Sequence, residues 1–184
     1  MKKSSAFTLA EVLITLAIIG VVAAMTIPGV IVRTNQQEFK TGFRKAISVL
    51  NQAVTMNMAL DNVTPEYLTS QQEVHDYLIK RMNVVKSNVT VNGNKCFYTA
   101  DGFRYEIPSS AKDCTVNAPC TLGVDVNGDR GPTTPSNNAL LTTDKYPKVA
   151  DNRVIDYFTI QMTDVSIQPK GDLAKYTMYG EEKN

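Results

Sequence analysis

A carboxylate stranded in an apolar run is the first place to look for chemistry. Glu11 is the only charged residue between Phe7 and Val32, a stretch that reads FTLAEVLITLAIIGVVAAMTIPGVIV. A carboxylate in hydrocarbon is costly unless it is paired or sits at the interface, so it marks a functional position by default. A second candidate is Asp125-Val126-Asn127-Gly128-Asp129. Asp125, Asn127 and Asp129 alternate, which puts three hard oxygen ligands on one side of a turn and suits Ca²⁺. The loop is not an EF-hand, because Arg130 stands where that motif has Gly and no Glu closes it. Such a site needs more oxygens, for which Asp144, Asp151 and Asp156 are candidates. Asn-Gly and Asp-x-Gly also form turns unaided, so calcium and plain turn chemistry both remain open readings.

Three cysteines, Cys96, Cys114 and Cys120, are the third candidate. An odd number defines no framework. If this half of the chain lies outside the cytoplasm, one disulfide is expected with one thiol left over. Cys114 and Cys120 are the preferred pair, since the residues between them, with Asn117 and Pro119, can close a loop. The alternative is that all three are small buried apolar residues.

Catalysis finds little support. A single histidine, His75, rules out an HExxH zinc site, and no nucleophile elbow, Walker loop or Gly-x-Gly-x-x-Gly fingerprint is present. His75 is read as an ordinary residue on a polar helix face. The 19 basic and 18 acidic residues nearly cancel and the basic ones are scattered, so no general nucleic-acid binding is expected. The chain is read as a structural protein and not an enzyme.

Glu11 must be positioned by the element that carries it. Phe7–Val32 exceeds the roughly 20 residues needed to cross hydrocarbon as a helix. Lys2 and Lys3 precede it and should stay cytoplasmic, which places the C-terminus outside. An ordinary signal peptide has an apolar region of only about 7–15 residues. A plain single-pass anchor explains the length but leaves Glu11 unexplained.

At this point the residues carry a resemblance. Ala6-Phe7-Thr8-Leu9-Ala10-Glu11-Val12-Leu13-Ile14 resembles the processing motif of type IV prepilins and type II secretion pseudopilins. In that family a short basic leader ends in a small residue, usually Gly. Phe and Thr-Leu follow, and Glu is the fifth mature residue. The resemblance implies cleavage between Ala6 and Phe7 and methylation of the new Phe7 amine by a prepilin peptidase/methyltransferase. Ala6 departs from the usual Gly but remains small, and Ala10 replaces a bulkier residue. Gly20 and Pro28 fall where pilin helices often carry a helix-weakening Gly and a Pro, and both residues weaken helices physically. The implied partners are homologous pilin or pseudopilin subunits and an inner-membrane assembly platform. Glu11 would then answer the Phe7 amine of its own or a neighbouring chain in a low-dielectric core, which selects axial register. The competing reading is a solvated carboxylate beside the helix dipole, worth only about 0.3–1 kcal/mol.

The rest of the chain supplies a globular part. Phe39, Phe43, Ile47, Leu50, Val54 and Met58 recur at helical spacing, so one helix is expected from Phe7 to about Leu60, bent at Pro28. Ser70-Gln71-Gln72-Glu73 has capping-box spacing ahead of a short helix bearing Val74, Tyr77, Leu78 and Met82. The period shortens from Val84. Cys96–Thr99 and Phe103–Ile107, joined at Asp101-Gly102, read as a hairpin. Thr121–Val126, Arg153–Ile160 and Val165–Ile167 are further strands. The expectation is an α+β fold, a long helix on a small antiparallel sheet. Residues 1–6 form the leader, 7–32 the transmembrane or filament-core helix, and 33–184 an extracytoplasmic globular domain.

The function expected is a structural subunit of a pilus-like or pseudopilus filament, anchored first in a bacterial inner membrane. The alternative is a low-copy minor pilin whose loop at 131–147 binds DNA, a surface or secreted cargo. The major pseudopilins of the resembling family bind Ca²⁺ in a C-terminal loop, which keeps the Asp125–Asp129 segment in view as a calcium candidate.

Overall fold

A computed structural model of the chain describes residues 8–131 and 155–180. The chain divides into two compact units, Met1–Gln37 and Glu38–Asn184. Helix α1, Leu9–Asp61, contributes to both and has Pro28 inside it.

In the first unit α1 is the only described element. Leu9, Leu13, Ile14, Ile18, Met25 and Val30 all stand exposed. The most apolar 18-residue window has a mean hydropathy of 2.4, long and apolar enough to cross a membrane. Its threonines hide their polarity locally. The Thr15 hydroxyl donates to the Val12 carbonyl at 2.9 Å and Thr26 to Val22 at 2.9 Å. A hydroxyl satisfied by its own helix is tolerable where no water competes.

In the second unit the apolar stripe of α1 becomes core. Phe39, Phe43, Ala46, Ile47, Leu50 and Val54 are buried, and Phe43 stacks on Phe158 with ring centroids 4.3 Å apart. The helix ends where Asn62 turns left-handed at φ 54°, a usual C-terminal stop, with Pro65 soon after. Helix α2, Gln71–Ile79, begins as the capping spacing predicts. The Ser70 hydroxyl accepts from the Glu73 amide at 3.3 Å, and the Glu73 carboxylate accepts from the Thr69 amide at 2.7 Å.

Six strands follow as a meander in sequence order, every neighbour antiparallel: β1 Val84–Val91, β2 Asn94–Thr99, β3 Arg104–Ile107, β4 Cys120–Asp125, β5 Tyr157–Met162 and β6 Ile167–Pro169. The fold is the expected α+β layout, a long helix and an antiparallel sheet. Strand β1 was not foreseen. It meets β2 through Asn92-Gly93, at φ 51° and 82°, a turn that only such residues adopt easily. A short helix α3, Gly171–Tyr179, follows β6 and was also not foreseen. The Arg44 guanidinium donates to the Met178 carbonyl at its end, at 2.8 and 3.1 Å.

His75 corrects an expectation. It is fully buried, with Nδ1 3.0 Å from Asp76 Oδ1 and its ring edge-on to Phe97. The unforeseen β1 is the reason: its Asn88 amide lies 3.5 Å from His75 Nε2, so the supposedly polar face of α2 is covered.

Candidate functional site: the Glu11 cap and the Arg104 cluster

Glu11 sits in the first turn of α1. Thr8 precedes the helix and binds it reciprocally. The Thr8 amide and the Thr8 hydroxyl both donate to Glu11 Oε2 at 2.8 Å, and the Glu11 amide donates back to the Thr8 hydroxyl at 3.3 Å. This is a capping box, Thr-x-x-Glu, and it satisfies donors that no helix turn could. It has the same spacing as Ser70–Glu73. Oε2 accepts both cap bonds that reach the carboxylate. Ala6 and Phe7 lie outside the described residues. Gly20 has nothing within 4 Å of where a Cβ would stand, so space alone does not demand glycine there.

The second candidate lies on the sheet. Register aligns Tyr98, Arg104, Asp125 and Tyr157 in one row across β2–β5, and Cys96, Glu106, Gly123 and Thr159 in another. Alternation puts Arg104, Glu106 and Asp125 on one face, with Phe97, Tyr105, Val124 and Phe158 on the other. Arg104 is fully buried and reaches Asp125 at 3.0 Å, Glu106 at 3.2 Å and Asp129 at 2.8 Å. The Tyr98 hydroxyl donates to Asp129 at 2.9 Å, and the Tyr157 hydroxyl to Glu106 at 3.0 Å. Gly123 makes room for Tyr157, because a Cβ there would come within 2.6 Å of its Cζ.

This arrangement bears directly on the calcium expectation. The carboxylates of Asp125 and Asp129 are taken up by the Arg104 guanidinium. The Asn127 side-chain amide donates to the carbonyls of Arg130 and Gly131, while its backbone amide donates to Asp125 at 3.0 Å. Gly128 turns at φ 69°, so turn chemistry describes the segment. No group of three His, Cys, Asp or Glu among the described residues could hold a metal ion. Asp144 and Asp151 lie outside them, as does most of the 131–147 loop. Burial pushes the Asp125 carboxyl up to about 7. Asp156 and Glu106 add to this, against the Asn127 amide and Arg104. Burial likewise raises the Cys96 thiol to about 12, which disfavours its thiolate.

Cys114 and Cys120 are joined as a disulfide, with Cα atoms 5.1 Å apart. It pins the crossing between β3 and β4, where the Cys114 amide also donates to the Pro65 carbonyl at 3.2 Å.

Comparison with known families gives one finding. The family model described as the prokaryotic N-terminal methylation motif matches residues 1–27, so the chain carries the type IV pilin and pseudopilin signature. No curated protein and no solved structure matches it. The signature marks a pilin-like or pseudopilin precursor, which suits a structural subunit and fits inner-membrane anchoring followed by assembly with other pilins.

Proposed function

We propose that this chain is a structural subunit of a type IV pilus-like or type II secretion pseudopilus filament. Prepilin peptidase removes residues 1–6, and the new Phe7 amine is methylated. Residues 7–32 hold the chain in the inner membrane with residues 33–184 outside the cytoplasm. That helix then leaves the bilayer, through an inner-membrane assembly platform, to pack among homologous subunits. One observation carries the reading: a single carboxylate, Glu11, within the apolar, exposed run of α1 up to Val32, in a segment that bears the methylation motif. In a low-dielectric bundle such a charge needs a cation, and the freed amine of a neighbouring chain is the cation the processing step creates.

The first test is the mature N-terminus, read by mass spectrometry from cells making the prepilin peptidase. N-methyl-Phe7 is expected; an intact Met1 or a cut after Ala24 refutes the reading. The second test separates charge from cap. Glutamine completes a capping box as glutamate does but carries no charge. Glu11→Gln should therefore be processed normally yet enter filaments at least about tenfold less often, since breaking a buried ion pair is strongly unfavourable. Normal filaments from Glu11→Gln would reduce Glu11 to a helix cap.

A further inference from the structure

We propose that His75 is a proton-operated latch for β1: when neutral it holds the strand against α2, and on taking up a proton it lets the strand go. The inference does not depend on the filament reading. The chain has one histidine, and it is fully buried. Its ring stands edge-on to Phe97 of β2, with centroids 5.8 Å apart. Nδ1 is 3.0 Å from Asp76 Oδ1, and Nε2 is 3.5 Å from the Asn88 amide of β1. A carboxylate only accepts and an amide N–H only donates. These partners therefore select the neutral tautomer with its hydrogen on Nδ1.

A proton changes one side of this arrangement and leaves the other alone. Nδ1 carries hydrogen in both states and keeps Asp76. Nε2 gains a hydrogen and then points a donor at the donor of Asn88. Asp76 is the ionic partner at the ring, and its charge favours the cation. Gln72 donates to Asp76 Oδ1 at 2.7 Å while its carbonyl accepts from Lys95 of β2, so the opposing ammonium stands behind an amide. From β3 comes Tyr105, stacked on Phe97, whose hydroxyl burial pushes up. Lys86 of β1 lies over the Tyr98 ring, and Asp61 of α1 is taken up by Lys80 and Arg81. Strand β1 is weakly held otherwise. Val85 to Asn88 are all exposed, and Asn88 falls in the second slip of register, left-handed at φ 57°. Such a strand opens locally at low cost. Opening uncovers β2, whose register with β3 is unbroken, and so presents an even edge to a further strand. The opened state binds one proton more than the latched one, so opening increases as pH falls.

The test uses the full chain in detergent micelles, made without a histidine tag. Amide hydrogen exchange of residues 84–91 is followed at about pH 7.5 and about pH 5.5, a range in which imidazole changes charge. Rates are corrected for the intrinsic effect of pH and referred to the buried part of α1 around Leu50. Opening of β1 should rise about fivefold at the lower pH, the scale of one neutral hydrogen bond. His75→Gln keeps an acceptor for Asn88 and takes up no proton, so its β1 should exchange alike at both values. That variant retains Asp125, so any general effect of the acidic cluster cancels in the comparison. Nuclear magnetic resonance of the single histidine ring gives a second reading in the unaltered chain, and its titration midpoint should coincide with that of β1 opening. Unchanged exchange of β1 in the unaltered chain overturns the proposal. So does an equal rise in His75→Gln, or a β1 transition whose midpoint lies apart from that of the ring.

Discussion

Arg104→Met tests how the globular unit is held together. Arg104 is wholly buried and touches three carboxylates, at 2.8, 3.0 and 3.2 Å. Methionine fills similar space without the charge. It leaves Glu106, 3% exposed, and Asp125, 0% exposed, facing each other without their cation. The Tyr157 hydroxyl still donates to Glu106 and the Asn127 amide to Asp125. Removing one partner of a buried ionic group costs about 3–5 kcal/mol. At a urea slope of about 2 kcal/mol/M, the midpoint should fall by roughly 1.5–2.5 M. The assay is urea unfolding of the full chain in detergent micelles at pH 7.5, followed by near-UV circular dichroism of its buried tyrosines. The pH dependence has a definite sign. Burial raises Asp125 from 3.8 to about 7 in the folded state. Its contribution to stability is therefore fully present below the ordinary carboxylate range and lost as pH climbs through about 7. Without Arg104 the protonated form is favoured still more, so the variant's deficit should shrink by at least half at pH 5. A deficit under about 1 kcal/mol at pH 7.5 would refute the cluster as an ionic core, since an uncompensated buried charge is expected to cost several times that. So would a deficit that does not change between the two pH values.

Two further outcomes follow from packing and from chain closure. Gly123→Ala drives a methyl group to 2.6 Å from the Tyr157 ring, which its bond to Glu106 holds in place. The same unfolding assay should show a loss of about 1–3 kcal/mol, the usual range for overpacking, and an unchanged midpoint would show that the ring yields freely. Cys114→Ser/Cys120→Ser opens a short loop and should cost about 2 kcal/mol by loop entropy. Dithiothreitol should lower the unaltered chain's midpoint to match; a reductant without effect would mean that the bridge adds nothing.

The N-terminal signature was legible because its information is local. Lys2, Lys3, Ala6, Phe7, Glu11 and the apolar run lie within one short segment, and the physics of hydrocarbon makes the carboxylate conspicuous. The amphipathic half of α1 was legible for the same reason, since a stripe of Phe and Leu at helical spacing admits few readings. Strand β1 escaped because its Lys86, Ser87 and Asn88 break the apolar alternation, although Asn92-Gly93 announced the hairpin. His75 reads as a surface residue because nothing in the pattern of α2 itself announces the strand that covers it. Helix α3 escaped because it starts at Gly171, at φ 79°, with no side-chain cap at Lys170. The Arg104 cluster was illegible for a deeper reason. Arg-Tyr-Glu-Ile alternates as a half-exposed strand should, yet all four residues are buried. A period tells which residues share a face, and nothing in it tells whether that face meets water. The Thr8–Glu11 cap is different: its spacing is written in the sequence, where the charge of Glu11 in an apolar run is the stronger signal.

The outer margin of β1 has a consequence for the proposed filament. Register slips twice along it, between Val84 and Lys86 and between Lys86 and Val89, and Asn88 is thrown left-handed at φ 57°. Such interruptions spoil the even row of donors and acceptors that a foreign strand would need. In the proposed filament, neighbouring copies could then stand side by side without stitching their sheets into an amyloid-like seam.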